Sequence, residues 1–313
     1  MRIAAIFPGQ GSQVVGMGAD VAEKSLSARE LFERAHATLG YDLLALQTRG
    51  PELQLRETQY SQPAIFVTNL ALYYAGGEAL TPVASAGHSF GEFCSLTIAG
   101  SLRFEDALKI VDARGKAMQY AAELAPGGMT AVLGLDVAQI REAVSRAEAE
   151  TGGRVQLANL NSHSQIVISG DRAAVQLAAD AMLDRGAKRV VPLNVSGAWH
   201  SRLMEPALER FAPAVERTHF ELPAFDVVSN VDAQPYRDIQ TIERNLILSI
   251  TEEVRWHETA EKLLTYDLEL VVEFGATPVL GPLMKRLPNA PEVLNVTDFA
   301  GVEKLQEKMR VRA

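Results

Sequence analysis

The 313-residue sequence lacks several features that would place it in a specialised class of protein. Its single cysteine, Cys94, excludes a disulfide framework and a cysteine-based metal cluster, and fits the reducing environment of the cytoplasm. No run of about 18 apolar residues occurs, so no membrane-spanning helix is expected. The opening stretch MRIAAIFPGQGSQ has no basic region and only a short apolar run. We interpret it as a strand and a loop, and not as a signal peptide.

The sequence also lacks an excess of positive charge. It contains 30 Lys and Arg against 39 Asp and Glu, for a formal net charge of −9. Nucleic-acid binding depends on cationic side chains that neutralise phosphates, so neither nucleic acid nor a membrane is expected as a partner. Hydrophobic residues make up 47% of the chain and charged residues 22%, which is typical of a globular protein with a substantial core.

Short apolar runs alternate with amphipathic stretches along the chain, and this alternation predicts an α/β protein. The predicted strands of the main body are 3–7, 83–86, 227–229 and 270–274. The predicted helices are 27–39, 62–75, 104–124, 203–216 and 259–266. Pro63 is expected at the opening of the second of these helices, where a missing N–H costs nothing.

Residues 128–196 follow a pattern of their own. Strands are predicted at 130–135, 155–160, 165–169 and 188–195, and helices at 137–150 and 171–185. Asp171 is the expected N-cap of the second helix, and Gly186 is expected to end it. The order strand, helix, strand, strand, helix, strand is the ferredoxin-like βαββαβ pattern. We predict a small domain at 128–196, inserted into a larger α/β domain formed by 1–127 and 197–313.

The segment GHSFG, residues 87–91, places Ser89 between two glycines, after a predicted strand and before a predicted helix. A sharp strand-to-helix turn that aims a serine hydroxyl outward needs small residues at these two positions, and Gly87 and Gly91 supply them. The N–H after the serine and the helix N-terminus would then face a developing oxyanion. An ordinary glycine-rich loop is the alternative interpretation.

A serine nucleophile needs a base, and His200 is the best placed of the six histidines. It follows a strand and a Ser-Gly turn and precedes a helix, which predicts a position at the edge of a cleft. His88 adjoins Ser89, but consecutive side chains on a tight turn diverge, so it is better placed to brace the turn. We interpret the remaining histidines as surface or structural residues: His36, His163, His219 and His257.

A second glycine-rich loop, FPGQGSQ at 7–13, lacks the spacing of dinucleotide-binding and phosphate-binding loops. It follows the first strand directly and can supply a backbone donor beside Ser89. Arg114 lies within a predicted helix, where an arginine is usually solvated or ion-paired. If it were aimed into a cleft, its forked donors would select a substrate with a free carboxylate.

Eight segments occur in an order that resembles one known family across essentially the whole chain. They are FPGQGSQ, TQYSQPA, GHSFGE, ARGKAMQ, ANLNSHSQIVISG, the SGAWHS–LM run, SNVDAQPY and VEFGATPVLGPLMKR. The sequence is similar to the malonyl-CoA:acyl-carrier-protein transacylases, and most similar to the discrete acyltransferases that serve polyketide synthases in trans. The resemblance implies a hydrolase-like core with a mostly parallel sheet and the ferredoxin-like insertion.

The resemblance also implies roles for matched positions. Ser89 would be the nucleophile and His200 its base, and the backbone N–H groups of Gln10 and Phe90 would hold the oxyanion. Arg114 would pair with the malonyl carboxylate. The other residues expected at the substrate are Gln62, Asn159, Trp199 and His88. Malonyl-CoA would be the substrate and the phosphopantetheine of an acyl carrier protein the acceptor, with no permanently bound cofactor and no metal.

Several residues depart from the pattern of the family. Phe90 stands where leucine is usual, and its ring is expected to alter the shape of the pocket. A bulky Trp199 is expected to fill space beside the α-carbon of the acyl group and to favour malonyl over methylmalonyl. His163-Ser164 replaces a common Pro-Gly turn and is expected to change only a loop.

Two further departures lie in SITEEVRW, where Ser249 replaces a glutamine and Glu253 a proline. That glutamine normally helps to orient the catalytic histidine. If its backbone carbonyl performs this task, serine suffices. If the side chain is needed, the orientation of His200 is in doubt.

Acyl carrier proteins are usually acidic, so productive docking predicts a local basic patch near the mouth of the cleft. The candidate residues are Lys188, Arg189, Arg202, Lys285 and Arg286. Alternative functions are an acyl hydrolase of the same family, a transferase of another acyl group between carrier proteins, and a transacylase of fatty-acid synthesis. A non-enzymatic binding module is a fourth alternative.

Overall fold

The computed structural model describes residues 1–76 and 80–311, so that the last two positions of the predicted larger domain, 312 and 313, lie outside the described residues. The strands are β1 Ile3–Phe7, β2 Ala84–Gly87, β3 Gly128–Leu133, β4 Val155–Ser162, β5 Gln165–Gly170, β6 Arg189–Pro192, β7 Asp226–Val228, β8 Leu270–Phe274 and β9 Glu292–Val296. The helices are α1 Ala19–Lys24, α2 Leu26–Leu39, α3 Leu43–Arg49, α4 Glu52–Arg56, α5 Thr58–Ala75, α6 Gly91–Ile98, α7 Phe104–Leu124, α8 Val137–Thr151, α9 Arg172–Asp184, α10 Glu205–Glu216, α11 Ile239–Leu248, α12 Trp256–Leu264, α13 Gly281–Met284 and α14 Phe299–Val311. A short 3₁₀ helix, Arg202–Met204, precedes α10. Within the described residues, no helix has both the length and the hydropathy needed to cross a bilayer.

The larger sheet is parallel, with strand order β7-β2-β1-β8-β9. Helices cover both of its faces, which explains why β1 is apolar and buried at every position. Phe7 and its alternate neighbours pack into a core with α2, α5 and α7, whereas Ile6 packs on the other face with Trp256 of α12. The prediction of an α/β fold with a mostly parallel core sheet is confirmed.

The carboxyl ends of β1 and β2 lie side by side, with Phe7 opposite Gly87. The N–H of His88 donates to the carbonyl oxygen of Phe7 at 2.9 Å. Since the two glycine-rich segments each begin where one of these strands ends, they start at the same edge of the sheet. In open parallel sheets this edge is where ligands bind.

The smaller sheet is antiparallel, with strand order β4-β5-β3-β6, and α8 and α9 cover one face. Val132 and Ile166 point toward these helices, while Ala131 and Val167 on the opposite face join the core of the larger sheet. The ferredoxin-like pattern is confirmed. The exact boundaries of the inserted domain at 128 and 196 stay a prediction.

Strand β4 also contacts the main body directly. The N–H of Leu160 donates to the carbonyl oxygen of Val254 at 2.9 Å, and the N–H of Val254 donates to the carbonyl oxygen of Ala158 at 2.8 Å. These two bonds lie on either side of Asn159, which therefore has a fixed position over the edge of the larger sheet.

Local details differ from the predicted elements. Helix α5 begins at Thr58, so Pro63 lies inside the helix and does not open it. Gly115 lets α7 pack closely against the first turn of α5, since a β-carbon there would lie 2.8 Å from the carbonyl oxygen of Thr58. Asp171 stands at the N-cap of α9, but its carboxylate accepts from the N–H of Arg154 at 2.7 Å and makes no capping bond.

Candidate active site

Ser89 occupies a sharp turn between β2 and α6 and has a left-handed backbone, with φ 55°. A β-carbon on Gly87 would lie 1.9 Å from the carbonyl carbon of Gly91, and one on Gly91 would lie 2.4 Å from the carbonyl oxygen of Phe7. Only glycine fits at either position. The turn is therefore the strained strand-to-helix elbow and not an ordinary glycine-rich loop.

His200 meets Ser89 across the cleft, with 2.8 Å between its Nε2 and the serine Oγ. Its Nδ1 lies 3.2 Å from the carbonyl oxygen of Glu252, so Nδ1 carries the proton and Nε2 offers its lone pair to the hydroxyl. Burial, together with the nearby charge of Arg114, lowers the pKa of His200 to about 3. The imidazole is neutral at pH 7 and can accept a proton.

Ser249 contacts the environment of His200 through its backbone and not through its side chain. Its hydroxyl donates to the carbonyl oxygen of Leu246 at 2.7 Å, away from the histidine, while the backbone of Ser249 lies beside the imidazole with that of Glu252. Glu253 is bound by Arg141, with both carboxylate oxygens 3.0 Å from Nη2. Whether a glutamine side chain is dispensable at position 249 stays a prediction.

Arg114 projects from α7 into the cleft and is only 1% exposed. Its Nη2 donates to Ser89 Oγ at 3.2 Å and its Nη1 to Gln62 Oε1 at 2.9 Å, while its Nε has no partner among the described residues. No carboxylate in residues 1–76 or 80–311 forms an ion pair with it. Burial lowers its pKa to about 10, so it stays charged at neutral pH. A buried cation without a counterion makes a site for an anion.

These groups face a cleft of about 700 Å³ between the two sheets. The predicted site residues that line it are Gln10, His88, Ser89, Arg114, Asn159, Trp199 and His200. Segments 52–57 and 193–196 complete the walls. Gln62 is fully buried behind Arg114 and does not reach the cleft surface, so it orients the arginine and does not line the substrate site.

Two backbone N–H groups beside Ser89 are unengaged. Within the described part of the chain, neither the N–H of Gln10 nor that of Phe90 donates a hydrogen bond. The side chain of Gln10 is fixed by a bond from the hydroxyl of Thr58 at 3.2 Å. The ring of Phe90 is 1% exposed and packs in the core away from the cleft, so the expectation that it alters the pocket was wrong.

Asn230 supports the elbow from behind, a role that the sequence analysis missed. Its Oδ1 accepts from the N–H of Ser89 at 2.9 Å, and its Nδ2 donates to the carbonyl oxygen of Gly87 at 2.6 Å. Asn230 and the hydroxyl of Tyr236 both donate to the buried carboxylate of Glu92. Burial raises the pKa of Glu92 to about 7. Glu92 and Asn230 lie in GHSFGE and SNVDAQPY, two segments that carry the family resemblance.

His88 braces the other side of the turn. Its Nε2 lies 3.0 Å from Oδ1 of Asn161 on β4, and its ring is 6.0 Å from that of Trp256. Burial lowers the pKa of His88 to about 4. The predicted bracing position is therefore supported by a residue of the smaller sheet.

The five basic residues expected at the mouth of the cleft are all exposed, but none lines the cleft. Arg202 is engaged by Glu148 and Gln156, and Lys188 covers Gly134. Lys285 and Arg286 follow α13, and Arg286 lines a different, smaller cavity. The patch stays a prediction.

The chain matches the model of a protein family described as an acyl transferase domain over residues 5–300. It is 39% identical to the malonyl CoA-acyl carrier protein transacylase of Haemophilus influenzae, covering 98% of each chain. The corresponding enzyme of Coxiella burnetii has a superimposable structure, with a TM-score of 0.94 and 35% identity over 99% of this chain and 98% of that one.

A third relative is a malonyl-transacylase solved in complex with a holo acyl carrier protein of a type II polyketide synthase. It gives a TM-score of 0.93 and 37% identity over 98% of this chain and 100% of that one. The family model spans most of the chain, and these relatives match it over nearly its full length. The chain belongs to the acyl transferase family.

Proposed function

We propose that this protein transfers a malonyl group from malonyl-CoA to the phosphopantetheine thiol of an acyl carrier protein, through an ester on Ser89. The observation that carries the proposal is Arg114, a buried cation without a carboxylate partner, 3.2 Å from Ser89 Oγ. A guanidinium in this position pairs with the free carboxylate of a malonyl group while its thioester lies at the serine. A neutral acyl chain offers no such partner.

In the first half of the reaction, the hydroxyl of Ser89 attacks the thioester carbonyl as Nε2 of His200 takes its proton. The oxyanion forms between the backbone N–H groups of Gln10 and Phe90, which have no other partner among the described residues. His200 then donates its proton to the departing thiolate, and coenzyme A leaves. The malonyl group stays on Ser89 as an ester.

In the second half, His200 takes the proton of the phosphopantetheine thiol, and the thiolate attacks the ester. The carrier protein leaves with the malonyl thioester, and the proton returns to Ser89. The carbonyl oxygen of Glu252 fixes the imidazole tautomer throughout, so a third acidic residue is not required. Every step uses only side chains and backbone groups, and the mechanism needs no bound cofactor.

Selectivity for the acyl group depends on Arg114 at one end of the cleft and on Trp199 near the reacting carbonyl. Trp199 is 4% exposed and lines the cleft beside His200. Its bulk leaves little space for a branch on the α-carbon, so malonyl is favoured over methylmalonyl.

The proposed physiological acceptor is the carrier protein of a polyketide synthase, which the enzyme serves in trans. Support comes from the relative solved with a type II polyketide carrier protein. Docking would use the exposed basic residues Lys188, Arg189, Arg202, Lys285 and Arg286. A transacylase of fatty-acid synthesis would use the same chemistry with a different carrier.

The test is to incubate the protein with malonyl-CoA, acetyl-CoA or methylmalonyl-CoA and to measure intact mass. A malonyl adduct on Ser89, with much less acetyl or methylmalonyl adduct, is expected. Holo carrier proteins from a polyketide synthase and from fatty-acid synthesis are then added, and the mass of each carrier is followed. Free malonate without malonylated carrier would identify a hydrolase, and preference for another acyl group would overturn the malonyl assignment.

A further inference from the structure

Three side chains outside the active site converge where the smaller sheet meets α12. His163 lies in the turn between β4 and β5, while His257 and Glu261 lie one turn apart on α12. The two imidazole rings are 4.0 Å apart, and one ligand atom from each of the three residues lies within 4.8 Å of the others. Residues far apart in the sequence thus form one cluster.

His257 has an unsatisfied polar atom in this cluster. Its Nε2 is buried and has no hydrogen-bond partner among the described residues, and the nearest carboxylate oxygen of Glu261 is 3.5 Å away. Buried polar atoms in native proteins are nearly always satisfied, so this nitrogen points to a missing ligand.

A cavity of about 130 Å³ opens beside the cluster. Asn161, His163, His257 and Arg286 are among the residues that line it. This volume holds an ion together with water molecules. Arg286 is the cationic side chain of the lining, and its charge lowers the affinity for a metal ion, so moderate binding is expected and not the very tight binding of a buried structural site.

We infer that His163, His257 and Glu261 bind one divalent transition-metal ion, with Zn²⁺ the best match, and that water completes the coordination. Two imidazoles and one carboxylate suit zinc, whereas Mg²⁺ and Ca²⁺ prefer all-oxygen ligands. The sequence predicted no metal site because its ligands come from two distant segments.

An ion at this position connects the smaller sheet to α12 and reaches toward the elbow. Asn161, two residues before His163, holds the ring of His88, and Trp256, beside His257, lies against the same ring. Binding therefore fixes the β4–β5 turn and the bracing of His88 at the same time. It would make the junction of the two sheets more rigid without supplying a group to the reaction.

The test uses the full chain without an affinity tag, treated with a chelator and then titrated with Zn²⁺ by calorimetry and by competition with a chromophoric chelator. We expect one ion per chain, and an affinity at least about tenfold weaker in His163→Ala, His257→Ala and Glu261→Gln. His219→Ala is the matched control, because His219 and Glu221 form an exposed pair 2.7 Å apart without a third ligand. Its affinity should equal that of the wild type.

Saturating Zn²⁺ should also raise Tm of the wild type by a few degrees and slow amide exchange in residues 159–164, since an ion that binds only the folded state stabilises it. Neither change should occur in His163→Ala. Absence of stoichiometric binding to the wild type, or equal affinity in the wild type and the three ligand variants, would overturn the inference. Circular dichroism of each variant checks that a loss of binding does not come from unfolding.

Discussion

The two sheets contribute differently to the cleft between them. The elbow with Ser89 grows from the parallel sheet, which is buried on both faces, and Asn230 and Glu92 bind the turn from behind. The antiparallel sheet supplies wall residues such as Asn159 and one brace, the bond from Asn161 to His88. The nucleophilic serine thus follows a strand of the parallel sheet, and the second sheet shapes the access to it.

The largest effect is expected at the elbow on the edge of the parallel sheet. Ser89→Ala removes the nucleophile and should lower malonyl transfer by roughly 10⁶-fold, with no acyl adduct detectable by intact mass. Ser95→Ala is the control, since Ser95 lies on α6 and its hydroxyl contacts only Ser85. An adduct of undiminished yield on the alanine variant would place the nucleophile elsewhere.

The second largest effect is expected for substitution of Arg114, the buried cation of the cleft. Arg114→Gln keeps a hydrogen-bond donor near Gln62 but removes the charge, at an expected cost of about 3 kcal/mol, or roughly a hundredfold in kcat/KM for malonyl-CoA. Turnover of acetyl-CoA, which has no carboxylate, should fall much less. Arg146→Gln on the exposed face of α8 serves as control. Equal losses for the two thioesters would mean that Arg114 only supports the structure.

A matched pair of variants compares the two sheets directly. Asn230→Ala leaves the N–H of Ser89 without its partner and removes one donor to the carboxylate of Glu92, so it should cost about 2 kcal/mol of unfolding free energy and roughly tenfold in kcat. Asn161→Ala on the smaller sheet releases only His88 and should change kcat by no more than about threefold. Urea unfolding and single-turnover acylation measure both. Similar losses in the two variants would contradict the division of roles.

A smaller effect is expected for docking on the smaller sheet. Arg189→Glu reverses an exposed charge on β6 and should slow transfer to an acidic carrier protein several-fold, at low salt above all, because steering between charged surfaces is screened by ions. Acylation from malonyl-CoA should be unaffected, and Arg146→Glu is the control. A parallel decrease in both half-reactions would place Arg189 outside a docking surface.

The smallest effect is expected in the pH dependence of the free energy of unfolding, through His88. Burial holds the pKa of His88 near 4 in the folded state, against about 6.5 in the unfolded state, so the unfolded chain binds more protons as pH falls below 6.5. The wild type should lose about 1 kcal/mol relative to His88→Gln between pH 7.5 and 5.5. Glu92, with a pKa near 7, acts in the opposite direction in both proteins. Urea unfolding at pH 7.5 and 5.5 measures the free energy of unfolding of both proteins. If the wild type and the variant differed by the same amount at both pH values, folding would not lower the pKa of His88.

Much of this arrangement followed from local patterns in the sequence. Glycines 87 and 91 define the elbow because no other residue fits there, and the βαββαβ order defines the smaller sheet. The contact between Ser89 and His200 spans 111 residues, and the sequence alone ranked His200 only as the best of six histidines. The family resemblance supplied the pairing.

What the sequence could not show is how distant segments share a buried space. In the sequence, Asn230 is one polar residue of a loop. In the structure, its side chain makes three hydrogen bonds behind the elbow. The ring of Phe90 was expected to alter the pocket because leucine is usual there in the family, but the ring packs in the core. Helix α5 starts at Thr58, five residues before Pro63, which the sequence had placed at its opening.

Ser89 and His200 share one further property, a left-handed backbone with φ of 55° and 56°. Glycine adopts this conformation without the cost of about 1 kcal/mol that other residues incur. Selection for thermal stability alone would therefore favour glycine at both positions, and the selected variants would be stable but catalytically inactive. Any selection of more stable variants of this protein therefore has to include an activity assay in every round of selection.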